Sequence, residues 1–163
     1  MAPSLARRMA CFLYEALILF GLGLVPGIVG AIVLPHDARP AWANQAAVRA
    51  FAFAFYGLYF VGFWSRRGQT LPMQTWHIRL ETPTGVAPGI GRALARYCCA
   101  WVWIAPPALA AEALHWRPWP SLGLVAAWIV AYAGASRLAP GRQFWHDLAC
   151  GTRLVPAPPL PRT

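Results

Sequence analysis

The stretch ARRMACFLYEALILFGLGLVPGIVGAIVL, residues 6–34, decides the fold class. Two arginines open it, and from Met9 to Leu34 the only charged residue is Glu15. A membrane span needs about 20 mostly apolar residues, each rising about 1.5 Å, to cross about 30 Å of hydrocarbon. The run 9–34 is long enough to cross at a tilt, with Pro26 and Gly27 placed to bend it. The basic start, with AWA at 41–43, also fits a secretion signal. But the apolar part of a signal is only about 7–15 residues long, so a retained span is expected. The arginine pair lacks the polar setting of a twin-arginine signal.

Composition carries this reading to the whole chain. Its 163 residues suit a single domain, 1–163, and are 58% hydrophobic and only 12% charged. Soluble domains carry about 25% charge, so lipid rather than water is the expected surroundings. Three further apolar runs follow, at roughly 46–64, 97–114 and 119–136. Arg49 sits near one end of the second run, and Pro106 and Pro107 break the middle of the third. The expected fold is an all-α membrane protein: a four-span transmembrane helical bundle with a long cytoplasmic loop between spans 2 and 3.

The net charge is +9, and every basic residue is arginine. These arginines lie scattered between apolar runs, which argues against nucleic acid as a partner and for anchoring at a membrane face. Arg7 and Arg8 precede the first span; Arg66, Arg67, Arg79, Arg92 and Arg96 occupy 65–96; Arg142, Arg153 and Arg162 occupy the tail, 137–163. The other two loops are poor in charge, with Arg39 against Asp37 and Arg117 near Glu112. Both termini and the middle loop are therefore expected in the cytoplasm. Trp42, Trp64, Trp116 and Trp119 fall near span ends, as an interfacial aromatic belt requires. The run FAFAFYGLYF at 51–60 reads as lipid-facing and packing surface.

The middle loop has structure of its own. In TWHIRLETPTG, Trp76, Ile78 and Leu80 alternate with His77, Arg79 and Glu81, the period of a half-buried strand. TPTG then reads as a turn. A weak repeat also appears, since Gln69 precedes Arg79–Leu80 by the interval at which Gln143 precedes Arg153–Leu154. Two halves related by an axis along the membrane normal would produce it.

Arg8 and Glu15 are seven positions apart, within about 20° of two full helical turns, so they share one stripe. An ionisable group two turns into a membrane costs about 2–3 kcal/mol and normally faces a partner inside the bundle. The tail sequence GRQFWHDLACGTRLV offers Arg142, His146 and Asp147. Arg142 and His146 share a face if this segment is helical from Pro140–Gly141 onward. Among so many arginines, the simplest use of Asp147 is a salt bridge to Arg8. The four cysteines, Cys11, Cys98, Cys99 and Cys150, form no CxxC pair and read as buried, inert thiols.

Three pieces in order carry a family resemblance. Arg8 leads the first helix with an acid seven residues on. GQTL at 68–71 is followed by IRL at 78–80 and GRALAR at 91–96. RQFWHDLACGTRLV closes at 142–155. Together they resemble the RDD family of small bacterial membrane proteins, named for one arginine and two aspartates. The resemblance implies that Arg8 is the family arginine, that Asp147 is the second aspartate, and that Glu15 stands where the first aspartate is expected. PMQTW at 72–76 departs from the small, basic pattern that usually follows GQTL. The resemblance also implies a multi-pass protein of the bacterial inner membrane and transport of ligands not yet identified.

Two functions stay open. One is transport of a small solute or cation, with Glu15 as a proton or cation site. The other is a non-transporting scaffold or accessory subunit, with Arg8, Glu15 and Asp147 as a structural ion-pair lock. Four spans make a thin bundle, so a transport path calls for a homo-oligomer. No HExxH, GxSxG or P-loop is present, and His36, His77, His115 and His146 lack ligand spacing. Neither an enzyme, a cofactor nor a metal site is expected.

Overall fold

The computed structural model describes residues 2–33 and 41–157. The charge-poor loop with Asp37 and Arg39, the tail end with Arg162 and the Trp42 side chain lie outside the described residues. Helix α1 (Leu5–Val33) carries the opening stretch, with Pro26 inside it, and α2 (Ala41–Arg67) returns beside it. A short helix α3 (Leu71–Thr75) leads into strand β1 (Ile78–Glu81). Then come α4 (Ile90–Ala100), a 3-10 turn at Trp101–Trp103, α5 (Ala105–Ala113) and α6 (Pro118–Ala135). The tail forms a 3-10 turn at Pro140–Arg142, helix α7 (Trp145–Ala149) and strand β2 (Arg153–Pro156).

Among the described residues three helices are long and apolar enough to cross a membrane, over Leu5–Ile32, Gln45–Arg67 and Pro118–Ala135. The expected third span, 97–114, is not one helix. The chain breaks at Ile104 (φ −130°, ψ −39°), and Pro106 and Pro107 sit in the first turn of α5. Proline is tolerated there because first-turn N–H groups have no helical acceptor. The prolines thus begin a new helix rather than kink an old one.

The alternation in the middle loop does make a strand. Ile78 and Leu80 are buried and Arg79 is exposed, although the strand starts at Ile78 and leaves Trp76 as the cap of α3. The turn at TPTG closes with Gly85 N–H donating to Thr82 O at 3.0 Å. Trp116 and Trp119 are exposed as a belt requires, but Trp64 is only 3% exposed and belongs to the core. The cysteine expectation needs a similar correction. Cys11 is buried, but Cys98 and Cys99 are exposed, and Cys150 is half-buried. Burial and the neighbouring Cys99 thiol push Cys150 up to about 11, which leaves it protonated at neutral pH.

The weak repeat is real in the backbone. β1 and β2 pair antiparallel with Leu80 opposite Leu154, so a local two-fold axis passes between equivalent leucines. Each strand is preceded by a five-residue helix, α3 or α7. Before each helix stands a glutamine whose amide donates to its own strand, Gln69 to Ile78 O at 2.8 Å and Gln143 to Leu154 O at 2.9 Å. Before each glutamine is a residue in the left-handed region, Gly68 (φ 67°) and Arg142 (φ 55°). At Gly68 a Cβ would lie 2.5 Å from Leu80 O. In the second copy an arginine occupies that conformation, at a cost of about 1–2 kcal/mol.

The tail segment 140–149 is therefore not one helix. Gln143 and Phe144 are extended, so Arg142 and His146 do not share a helical face. Two substitutions test this asymmetry by tryptophan-monitored thermal unfolding. Gly68→Ala is expected to lower the midpoint sharply, because backbone cannot yield to the new methyl. Arg142→Gly is expected to leave it level or raise it.

Candidate functional site

A cavity of about 410 Å³ lies where α1, α2, α4 and the tail converge. Its wall is mostly apolar and aromatic, with Arg8, Glu15 and Arg96 as its charged members and His146 as its histidine. Glu15 stands on α1 and is 9% exposed. Tyr59 of α2 donates to its Oε1 at 2.8 Å, and Thr70 donates to its Oε2 at 2.6 Å. Thr70 is also the N-cap of α3 and accepts from Met73 N–H, so the GQTL turn fixes its hydroxyl. Among the described residues no basic side chain forms an ion pair with Glu15.

Asp147 is fully buried, and its ion-pair partner is Arg96 of α4, with Nε donating to Oδ1 at 2.7 Å. The Arg96 guanidinium carbon lies 4.2 Å from the centroid of the Trp64 ring. This one arginine thus ties the tail to α4 and α2. The expected Arg8–Asp147 salt bridge does not form. Arg8 instead reaches Ser136 Oγ at 3.4 Å and stacks 4.2 Å from the Phe144 ring centroid, while its Nε and Nη1 have no partner. Nor does Arg8 pair with Glu15. The shared stripe is present, but two turns of rise separate the groups and hydroxyls reach the carboxylate first.

His146 Nδ1 lies 3.0 Å from the Tyr132 hydroxyl, which also accepts from the His146 N–H at 3.1 Å. In the tautomer where the hydroxyl donates to Nδ1, the ring proton sits on Nε2, 3.4 Å from Asp147 Oδ1. Burial pushes His146 down to about 4, outweighing the attraction of Asp147, and Arg96 adds to the lowering. The imidazole is neutral at pH 7, which removes it as a proton shuttle near neutrality.

The match to known proteins follows this geometry. The model of the RDD family matches residues 2–151. The chain belongs to the RDD family. No curated protein and no solved structure matches it. In this RDD protein Arg8, Glu15 and His146 meet at one cavity, and Asp147 lies behind the wall, held by Arg96. Arg142 is exposed and stands apart. Sequence reasoning missed Arg96, Tyr59 and Thr70. Arg96 entered only as a cytoplasmic arginine and as the end of GRALAR, with no partner assigned, and Tyr59 lay hidden in an aromatic run. Thr70 did carry a signal: GQTL followed by Pro72 marks a capped helix start.

Two measurements test the network. Arg96→Ala, which leaves Asp147 buried without a partner, is expected to cost about 3–5 kcal/mol and most of the folded yield. The unfolded imidazole titrates near 6.5 and the folded one near 4, so unfolding takes up a proton between these values. Stability is then full above pH 6.5 and falls as pH drops toward 4. In His146→Gln the histidine's share of this slope should vanish.

Proposed function

We propose that this RDD protein is a four-span protein of the bacterial inner membrane that moves a small solute or cation, coupled to protons through Glu15. One observation carries the reading. Among the described residues a lone carboxylate faces a cavity between membrane-spanning helices, held by hydroxyls and unpaired with any cation. Both hydroxyls can accept as well as donate, so Glu15 can gain or lose a proton without losing a neighbour. A structural carboxylate, by contrast, is normally held in an ion pair, as Asp147 is. The mostly apolar wall favours a solute with an apolar body over a bare metal ion.

Four crossings are supported by what lies at each end of α2. Arg96 of α4 stacks on Trp64 near the C-terminal end of α2, while Glu112 of α5 lies 3.6 Å from Arg49 toward its N-terminal end. The α4–α5 run therefore follows α2 from Trp64 to Arg49, about 22 Å, despite its break, which supports a fourth crossing. With arginine on one side, both termini and the 65–96 loop lie in the cytoplasm, and a homo-oligomer completes the path. The second reading, a scaffold or accessory subunit, is favoured by the buried Arg96–Asp147 pair, which locks helices whether or not anything is transported.

The discriminating measurement is flux in proteoliposomes. Glu15→Gln is expected to fold with normal yield and lose proton-coupled flux, and Glu15→Asp to retain part of it. Loss of folding in Glu15→Gln, or an unmodified protein silent across monovalent cations and small solutes under a pH gradient, favours the scaffold. Labelling of a Thr84→Cys variant from the periplasm would overturn the topology.

A further inference from the structure

A second cavity, of about 1010 Å³, opens at the start of α1 and shares Arg8 with the first. Its wall comprises residues 2–6, Arg8, and the segment from Arg137 to Arg142 that follows α6. Three arginines line it, Arg8, Arg137 and Arg142, and among the described residues no carboxylate does. Arg137 and Arg142 are exposed. Arg8 is only 4% exposed, and its Nε and Nη1 find no acceptor among the described residues. Leaving charged donors buried without acceptors is costly.

The helix itself aggravates the imbalance. The first turn of α1 holds no acid, and Arg7 and Arg8 lie at its positive end. Ser4 serves the N–H groups of Arg7 and Arg8, at 3.4 and 3.1 Å. Those of Leu5 and Ala6, both in the cavity wall, have no acceptor within the helix. Arg142 also holds its place in a left-handed backbone conformation where the first copy of the repeat has glycine.

We infer that this mouth is a binding site for a phosphate-bearing anion, gripped by Arg8, Arg137 and Arg142 over the first turn of α1. A carboxylate has two oxygens for these donors, whereas a phosphate offers several, spread tetrahedrally, and arginine forks match them. The start of α1 and the end of α6 share this mouth, so it lies at one membrane face, in the layer where lipid headgroups supply phosphate. The volume exceeds that of a bare phosphate and accommodates its ester substituents. The site stands independently of any transport by the inner cavity.

The test uses the full chain purified in an uncharged detergent, read by the thermal unfolding midpoint. Probes are dioctanoyl phosphatidylglycerol, dioctanoylglycerol without phosphate, and inorganic phosphate against chloride at matched ionic strength. Phosphatidylglycerol is expected to raise the midpoint by ~4 °C, and the Arg137→Gln/Arg142→Gln double variant to lose most of that rise. Both replaced side chains are exposed, so the double variant should fold. A rise with the lipid alone assigns the site to a headgroup, and an equal rise with inorganic phosphate assigns it to the free anion. No rise with either, an equal rise with dioctanoylglycerol, or a rise undiminished in the double variant would overturn the proposal.

Discussion

The Arg96–Asp147 ion pair is the constraint on which the rest of the architecture depends. A fully buried carboxylate is tolerable only with a charge-assisted partner, and the 2.7 Å bond to Arg96 supplies one. That bond recruits the tail to α4. The stacking of Arg96 on Trp64 then fixes α4 against α2, and Tyr97 completes the seam by donating to Phe53 O at 2.7 Å. Gly57 lets the Tyr97 ring approach, since a Cβ there would lie 3.1 Å from it. With Asp147 anchored, His146 is carried into the cavity wall and β2 is brought beside β1.

The two-stranded sheet answers a different problem. Two loops on one face of a thin helical bundle leave backbone groups that must find partners. The duplicated Gln–short helix–strand unit solves this twice, and each copy covers the other's strand. Arg7 adds a strap from α1, donating to the main-chain oxygens of Trp76 and His77. Departures from the internal symmetry then become informative. Glycine in one copy and strained arginine in the other is the difference that places a guanidinium at the mouth of the outer cavity.

Arg8 stands between the two cavities and lines both. Its ring stacking and one hydrogen bond leave much of its donor capacity unspent, whereas Asp147, to which family resemblance and charge counting both pointed, is taken by Arg96. The two charged residues at the heart of the family pattern thus serve different tasks. Asp147 closes the bundle by pairing with Arg96, and Arg8 lies buried between the two cavities, its Nε and Nη1 without a partner among the described residues.

The sequence by itself determined what depends on local periodicity and composition. The membrane setting follows from composition. The long apolar helices α1, α2 and α6, the strand at Ile78–Leu80 and the turn after it follow from patterns along one stretch of chain, and the Gln…Arg–Leu repeat from comparing two such stretches. The tertiary structure alone decided the pairings. That Glu15 meets Tyr59 and Thr70, that Asp147 chooses Arg96 over Arg8, and that the run at 97–114 breaks at Ile104 depend on where distant helices cross. With fourteen arginines and five acids, charge complementarity offers each carboxylate many partners. Only three-dimensional proximity and the cost of desolvation select among them.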